Sequence, residues 1–427
     1  MRIRSFTANR CRFVAMKNSQ KTACFILVIV WILIFCKIGL NKTSSRNFVS
    51  QVVITTTDRP QTTPKTSSDA QIILVVAYMR TGSTLLGEIL HQIPGSFYLF
   101  EPLRTLENTR ADAIEANRTS FTLEYLFKKP QQFKISSYDG VIHSVMKSLL
   151  TCSLDELPSD ILTDRHHSVF IDSLNYFEDC SSKHIADLKS MHTILNQTQT
   201  TNSTNTITKL RLNDNLRKCL LPYTASCRNS SAVVMKFIRL RMRHAIRLLS
   251  DFPKLKIVHL VRDPRGIIDS QMRTGFLKSG TAIAEECHAI ASDLVFTKYL
   301  MENKPSAIKL IQYEDFAEEP LKMLKELRQF TGLNFGADIE QFIFNKTSAA
   351  KDNGEYTTGR KNSTETAYKW RTHLDFQLAV DIEKACAVSN SVLGYLPFHS
   401  KESLKNILVS PRRRTNVTHS LITNINF

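Results

Sequence analysis

The chain has 427 residues, 42% of them hydrophobic, enough to bury the core of one large domain or two ordinary ones, so disorder throughout is excluded. The formal net charge of +17 is uneven: residues 1–57 contain no acid, while Arg2, Arg4, Arg10, Arg12, Lys17 and Lys21 crowd the first 21 positions. There is no C-x-x-C, no H-E-x-x-H and no close Cys/His cluster, and His166-His167 is a poor ligand set, so no metal is expected.

Ala23 to Cys36 runs fourteen residues without a charge, and Ile38-Gly39-Leu40 prolongs the run past Lys37, whose charged tip can snorkel to an interface. Residues 22–40 are therefore expected to form one transmembrane signal anchor. Six cations precede it and only Lys37, Lys42 and Arg46 follow soon after, which predicts a cytoplasmic tail at 1–21 and an exported remainder. A cleaved signal peptide competes with this, against the long basic leader and the lack of an A-x-A-like site. Eight N-x-S/T sequons (Asn41, Asn117, Asn196, Asn202, Asn229, Asn345, Asn362 and Asn416) all lie beyond the apolar run, in agreement with export. Residues 41–70 hold twelve Ser or Thr and two Pro, and read as an extended stem that cannot bury enough surface to fold.

Ile72 to Ala77 is a continuous apolar run, the pattern of a strand buried on both faces in a parallel sheet. Leu85, Leu86, Ile89, Leu90 and Ile93 then recur at helical spacing. Between them lies Arg80-Thr81-Gly82-Ser83-Thr84. A helix N-terminus leaves backbone N–H groups unpaired and carries about half a positive charge, so this turn suits phosphate or sulfate oxygens. Gly82 allows close backbone approach, Ser83 and Thr84 offer hydroxyls, and Arg80 adds a cation. A Walker loop is excluded because Gly87 is followed by Glu88 where that motif needs Lys, which disfavours a nucleoside triphosphate. Taken alone, the segment also reads as a tight turn with an incidental Arg.

From residue 71 onward strands and helices alternate, which predicts an α/β domain over 71–399 with a mostly parallel sheet flanked by helices. Strands are expected at 72–77, 97–100, 168–172, 233–238, 256–261 and 308–313. Helices are expected at 83–93, 240–250, 264–274, 281–301, 320–331 and 374–389. The polar run 196–208 reads as an exposed insertion, and 400–427, with Arg412-Arg413-Arg414, as a loose tail. Six cysteines of the exported part can pair in fifteen ways. Cys219 with Cys227 would close a short loop, and Cys287 with Cys386 would tie two distant helical segments.

Lys256 to Arg273 repeats the strand-turn-helix logic, with Asp263 suited to an N-cap and Pro264 to the first helical position. Arg262 falls where the strand ends, and ligands of open α/β sheets bind at the carboxyl ends of strands, so Arg80 and Arg262 are expected to face one crevice. Ser270, two turns into the helix, could join Arg262 on a phosphate, although ordinary helix-start chemistry explains the same residues.

At this point the residues resemble the Golgi membrane-bound carbohydrate 6-O-sulfotransferases, which act on galactose, N-acetylgalactosamine or N-acetylglucosamine. The resemblance covers about residues 70–398. Arg80-Thr81-Gly82-Ser83-Thr84 matches that family's R-S-G-S-S-like loop, with Thr81 and Thr84 replacing the commoner serines and keeping the hydroxyls. Val261-Arg262-Asp263-Pro264-Arg265 with Ser270 matches its second signature. Phe100-Glu101-Pro102-Leu103, Tyr313-Glu314-Asp315-Phe316, Trp370-Arg371 and Leu393-Gly394-Tyr395 are further echoes.

The resemblance implies a P-loop-like sulfotransferase fold in the Golgi lumen and the co-substrate PAPS (3′-phosphoadenosine 5′-phosphosulfate). Arg80 and the loop 81–84 would then hold the 5′-phosphosulfate, and Arg262 with Ser270 the 3′-phosphate. Glu101, after the short strand 97–100, would be the base for the acceptor hydroxyl, against the plainer reading of a solvated turn residue before Pro102. Lys236 would stabilise the transferring group, and Arg360 with Trp370 would cover the nucleotide. The implied partner is a glycan or glycosaminoglycan, which the basic run Arg239, Arg241, Arg243 and Arg247 could attract if it is more than a solvated helix face. Nucleic acid is not expected, and self-association is left open. A lumenal P-loop-like nucleotide kinase and a glycan-binding protein that has lost catalysis are the rivals.

Overall fold

A computed structural model describes residues 70–413, apart from 165, 167–173, 183, 185, 187–202, 278–279, 353 and 355–356, and apart from side chains within 203–212. The expected tail, anchor and stem (1–69), the strand at 168–172 and part of the polar run lie outside the described residues. No helix among the described residues is long and apolar enough to cross a membrane.

Five strands, β1 (Gln71–Ala77), β2 (Ser96–Phe100), β5 (Ala232–Phe237), β6 (Lys256–Val261) and β7 (Ile308–Gln312), form one sheet in the order β2-β5-β1-β6-β7. Every pairing in it is parallel, with Ile73 opposite Val234 on one side and Lys256 on the other. The apolar runs follow from that placement, since successive side chains enter opposite layers. Leu74 and Val76 join one core cluster with Met146, Leu149 and Leu248, while Ile73, Val75 and Ala77 join another with Leu86, Ile89 and Leu327. A small antiparallel hairpin, β3 (Ser120–Leu123) with β4 (Gln131–Lys134), lies outside this sheet.

The central strand β1 leads to β2 on one side, whereas β6 leads to β7 on the other, so the strand order switches sides between β1 and β6. A crevice opens beyond the carboxyl ends of strands at such a point. Two helices start there: α1 (Ser83–His91) after β1 and α2 (Pro264–Arg273) after β6.

Four expectations need correction. The helix Ser203–Arg228 begins inside the polar run 196–208, which is therefore not wholly an insertion. That helix also carries both Cys219 and Cys227, about 12 Å apart at 1.5 Å rise per residue, too far to bridge. The disulfides are Cys152–Cys227, Cys180–Cys219 and the expected Cys287–Cys386. The segment 374–389 is two helices, Phe376–Ala385 and Ala387–Leu393, that meet at the buried Cys386. Past 399 the chain is not loose through Arg413: a helix at Lys401–Lys405 follows, Tyr395 pairs with Arg412, and the Arg412 side chain is buried against Asp315 and Glu318. Asn117, Asn229, Asn345 and Asn362, the described sequons, are all exposed.

Candidate active site

After β1 the chain turns sharply, with Arg80 at φ 71° and Gly82 at φ 81°. Both lie in the left-handed region, which costs a non-glycine residue on the order of 1 kcal/mol or more and is tolerated where surroundings enforce it. Thr81 supplies part of that enforcement: its hydroxyl donates to the Tyr78 carbonyl at 2.7 Å, and the side chain is wholly buried. The Thr81 hydroxyl therefore belongs to the turn and is absent from the cavity wall, unlike Ser83 and Thr84. Gly82 is required twice over, because a Cβ there would lie 2.4 Å from Tyr313 Cε2.

After β6, the Asp263 side chain caps α2 by accepting from the Arg265 N–H at 3.0 Å, and Pro264 follows as its first residue. Arg262 is held from three sides. Its Nη1 donates to the Arg80 carbonyl at 2.9 Å, its Nη2 donates to the Ala367 carbonyl at 3.2 Å, and its guanidinium lies 4.6 Å from the centre of the Tyr313 ring. Arg80 Nε donates to Ser270 Oγ at 2.9 Å, so side chains of the two turns interlock.

Both turns line one cavity of about 300 Å³. Among the described residues, Arg80, Arg262, Arg273, Lys346, Arg360 and Lys369 face it against Asp269 and Asp352, a balance that suits a ligand with several negative charges. Gly82, Ser83, Thr84, Ser270 and Trp370 also line it. The sequence thus located both walls, but not Tyr313, Lys346 and Lys369. Lys346 is paired with Glu88 at 2.6 Å, a contact between distant segments that no local pattern announces.

Glu101 and Lys236 are not in that wall. They stand on the other side of the Arg80 turn, at the ends of β2 and β5. Glu101 adopts φ 54° and is buried, with one carboxylate oxygen 2.5 Å from Lys236 Nζ and the other bound by Arg239. The solvated-turn reading of Glu101 is thereby overturned. Burial pushes its pKa up, but Lys236, Arg239 and His166 together outweigh burial and leave it below the ordinary range. For Lys236 burial is the larger influence, bringing the ammonium down to about 8 against the opposing pull of Glu101. Lys236 Nζ also sits 3.8 Å from the centre of the Phe100 ring, which lies 5.0 Å from the His166 ring between centres.

The basic run is largely spoken for: Arg239 binds Glu101, Arg241 lies 3.6 Å from Asp293, and Arg243 lies 3.4 Å from Asp139. Of the motif echoes, Glu314, Tyr395 and Arg371 turn out to be scaffold. Glu314 accepts from the Asp263 N–H at 3.0 Å and from the Tyr395 hydroxyl at 2.9 Å. Arg371 donates to the carbonyls of Ser403, Leu404, Asn406 and Val409, and Arg265 is wholly buried against Asp263 and Glu383. No cluster able to hold a metal ion occurs among the described residues.

Residues 70–405 match the sulfotransferase domain family. Carbohydrate sulfotransferase 1 of Rattus norvegicus is 28% identical over 373 residues, covering 79% of this chain and 82% of its own length. Carbohydrate sulfotransferase 3 of Homo sapiens is 26% identical, covering 81% of this chain and 72% of its own length. Carbohydrate sulfotransferase 5 of Homo sapiens is 25% identical, with 82% and 84% covered. The chain is a transferase that belongs to the sulfotransferase domain family, and the relatives it resembles over most of its length are carbohydrate sulfotransferases.

Proposed function

We propose that this enzyme transfers a sulfuryl group from PAPS to a carbohydrate hydroxyl, the 6-hydroxyl of a galactose, N-acetylgalactosamine or N-acetylglucosamine in a glycan or glycosaminoglycan. Family membership and the carbohydrate-directed relatives support the reaction class. One observation carries the choice of donor: Arg80 and Arg262, at the ends of two adjacent strands, line the same cavity. A nucleotide with phosphate groups at both ends of its ribose can bridge them.

In this reading the 5′-phosphosulfate rests on the N-terminus of α1, with Arg80, Ser83 and Thr84 as further donors. Arg262 and Ser270 take the 3′-phosphate, and Arg360 with Trp370 flank the nucleotide. The acceptor enters from the β2–β5 side. As its oxygen forms the new bond to sulfur, its proton passes to the Glu101 carboxylate, which two cations keep unprotonated at neutral pH. The bond between sulfur and the bridging oxygen breaks, and its electron pair leaves on the 5′-phosphate of adenosine 3′,5′-bisphosphate. Catalysis is then mainly positioning and charge stabilisation, as in phosphoryl transfer.

The apolar run at 22–40 and the basic leader support a type II Golgi membrane protein with its catalytic domain in the lumen and a stem at 41–70. The test is to offer the full chain sulfate-labelled PAPS, or γ-phosphate-labelled ATP, with keratan, chondroitin and simple GlcNAc-terminated acceptors. Sulfate on a sugar 6-oxygen is expected from PAPS and no transfer from ATP; phosphate transfer would overturn the reading.

A further inference from the structure

Two donors in the cavity wall have no partner among the described residues, and they converge. Arg262 Nε and Trp370 Nε1 are buried nitrogens without a hydrogen bond, on side chains only 9% and 2% exposed. Buried N–H groups are rarely left unpaired, because the lost hydrogen bond to water is then not replaced. A point one carbon–carbon bond out from the Gly266 Cα lies 3.1 Å from both nitrogens. Gly266 and Ser270 are four residues apart on α2 and so share a face. The two nitrogens therefore lie close together over the bare Gly266 Cα, on the helix face that also carries Ser270, and all four residues line the cavity.

Arg262 has little freedom to present another edge. Its Nη1 and Nη2 each hold a backbone carbonyl, and its face is covered by Tyr313, so Nε is the edge without a protein partner. Trp370 is equally fixed: its indole lies 5.0 Å from the Arg265 guanidinium, packs edge-on to Phe398, and meets the Gly266 position with Cδ1 at 2.9 Å.

We infer that Trp370 is a specificity-determining ligand, donating its indole N–H, beside Arg262 Nε, to one oxygen of the donor's 3′-phosphate. This rests on the PAPS reading and assigns the indole a role other than covering the base. A neutral N–H adds discrimination without adding charge: a ligand lacking the 3′-phosphate leaves both buried donors unpaired, whereas one that has it satisfies both. Gly266 is glycine because a methyl group there would stand 2.9 Å from Trp370 Cδ1 and 3.1 Å from both nitrogens, too close for the indole and guanidinium to keep their places.

The experiment compares the binding of adenosine 3′,5′-bisphosphate and adenosine 5′-monophosphate to the full chain, as wild type, Trp370→Phe and Arg262→Ala. Phenylalanine keeps a ring and removes the N–H. The preference for the bisphosphate is expected to fall about tenfold or more in Trp370→Phe, with affinity for the monophosphate little changed, as for losing a hydrogen bond to a charged group. Equal weakening of both ligands, or an unchanged preference, overturns the inference. A second measurement needs no substitution: Trp31 and Trp370 are the only tryptophans, so in 15N-indole-labelled wild type one indole N–H resonance should move with the bisphosphate and stay with the monophosphate. Identical responses to both ligands count against the assignment. Loss of preference in Arg262→Ala but not in Trp370→Phe sinks the indole's role alone, whereas a retained preference in Arg262→Ala removes the 3′-phosphate site itself.

Discussion

Arg262 donates from Nη1 to the backbone carbonyl of Arg80 at 2.9 Å, so the cation of the second turn fixes the peptide of the first. The two anion cradles are one mechanical unit, with Arg80 returning the contact through Ser270. Gly82 sits inside that unit at φ 81°, against the Tyr313 ring that also covers Arg262. Gly82→Ala is expected to destabilise the domain by about 1–3 kcal/mol and to reduce turnover at least a hundredfold. Thermal unfolding and labelled-sulfate transfer check this; wild-type turnover in the variant would mean that the turn does not hold the donor.

Arg412, expected from the sequence in a loose tail, is instead a clamp. It is 2.5 Å from Asp315 and 3.1 Å from Glu318 on the helix Tyr313–Glu318, and it donates to the Tyr368 hydroxyl at 3.1 Å on the helix Ser363–Tyr368. Those two helices supply the Tyr313 ring and the Ala367 carbonyl that hold Arg262. Arg412→Ala removes a buried guanidinium from two partly exposed acids and should cost about 1–3 kcal/mol. At a temperature where the variant is still folded, its KM for PAPS should rise more than its kcat falls. A fall in kcat alone would contradict this link.

Stability should decline in acid through His259. Its ring is fully buried between the Tyr78 hydroxyl at 3.0 Å and the Thr297 hydroxyl at 2.7 Å. Burial, and then the Arg241 charge, lower its pKa from 6.5 to about 3. The unfolded chain therefore binds a proton that the folded one refuses, and stability present above pH 6.5 is lost as pH falls toward 3, by about 1.4 kcal/mol per pH unit at most. Asp293, whose carboxyl burial holds above its ordinary range, acts in the opposite sense, so the difference between wild type and His259→Gln is the quantity to read. Melting temperatures between pH 7 and 4.5 should converge toward acid; parallel curves would show that His259 takes up its proton equally in the folded and unfolded chains.

Much of the fold was legible because its signals are local. The β1 and β6 strands are unbroken apolar runs, and the turns that follow them use Gly82, Asp263 and Pro264 for reasons a single residue can state. The hairpin β3–β4 was missed because Gln131-Gln132-Phe133-Lys134 has no apolar face to announce a strand. The helix Ser203–Arg228 was hidden by Thr and Asn and by an internal Pro222. In the site, the arginines were found from their place at strand ends, but their supports come from afar. Arg412 meets Asp315 nearly a hundred residues away, and Glu314 meets Tyr395 across eighty-one. Burial decided these cases: an Arg triplet looks solvent-facing until acids close around one of its members.

The most direct measurement is transfer of labelled sulfate from PAPS to a glycan acceptor by the full chain, set beside Arg80→Ala and Arg262→Ala. The account predicts transfer by the wild type and a loss of at least a thousandfold in each variant, with both proteins still produced and folded. Normal turnover in either variant would contradict it, because a single donor held at both ends cannot do without one of its two cradles.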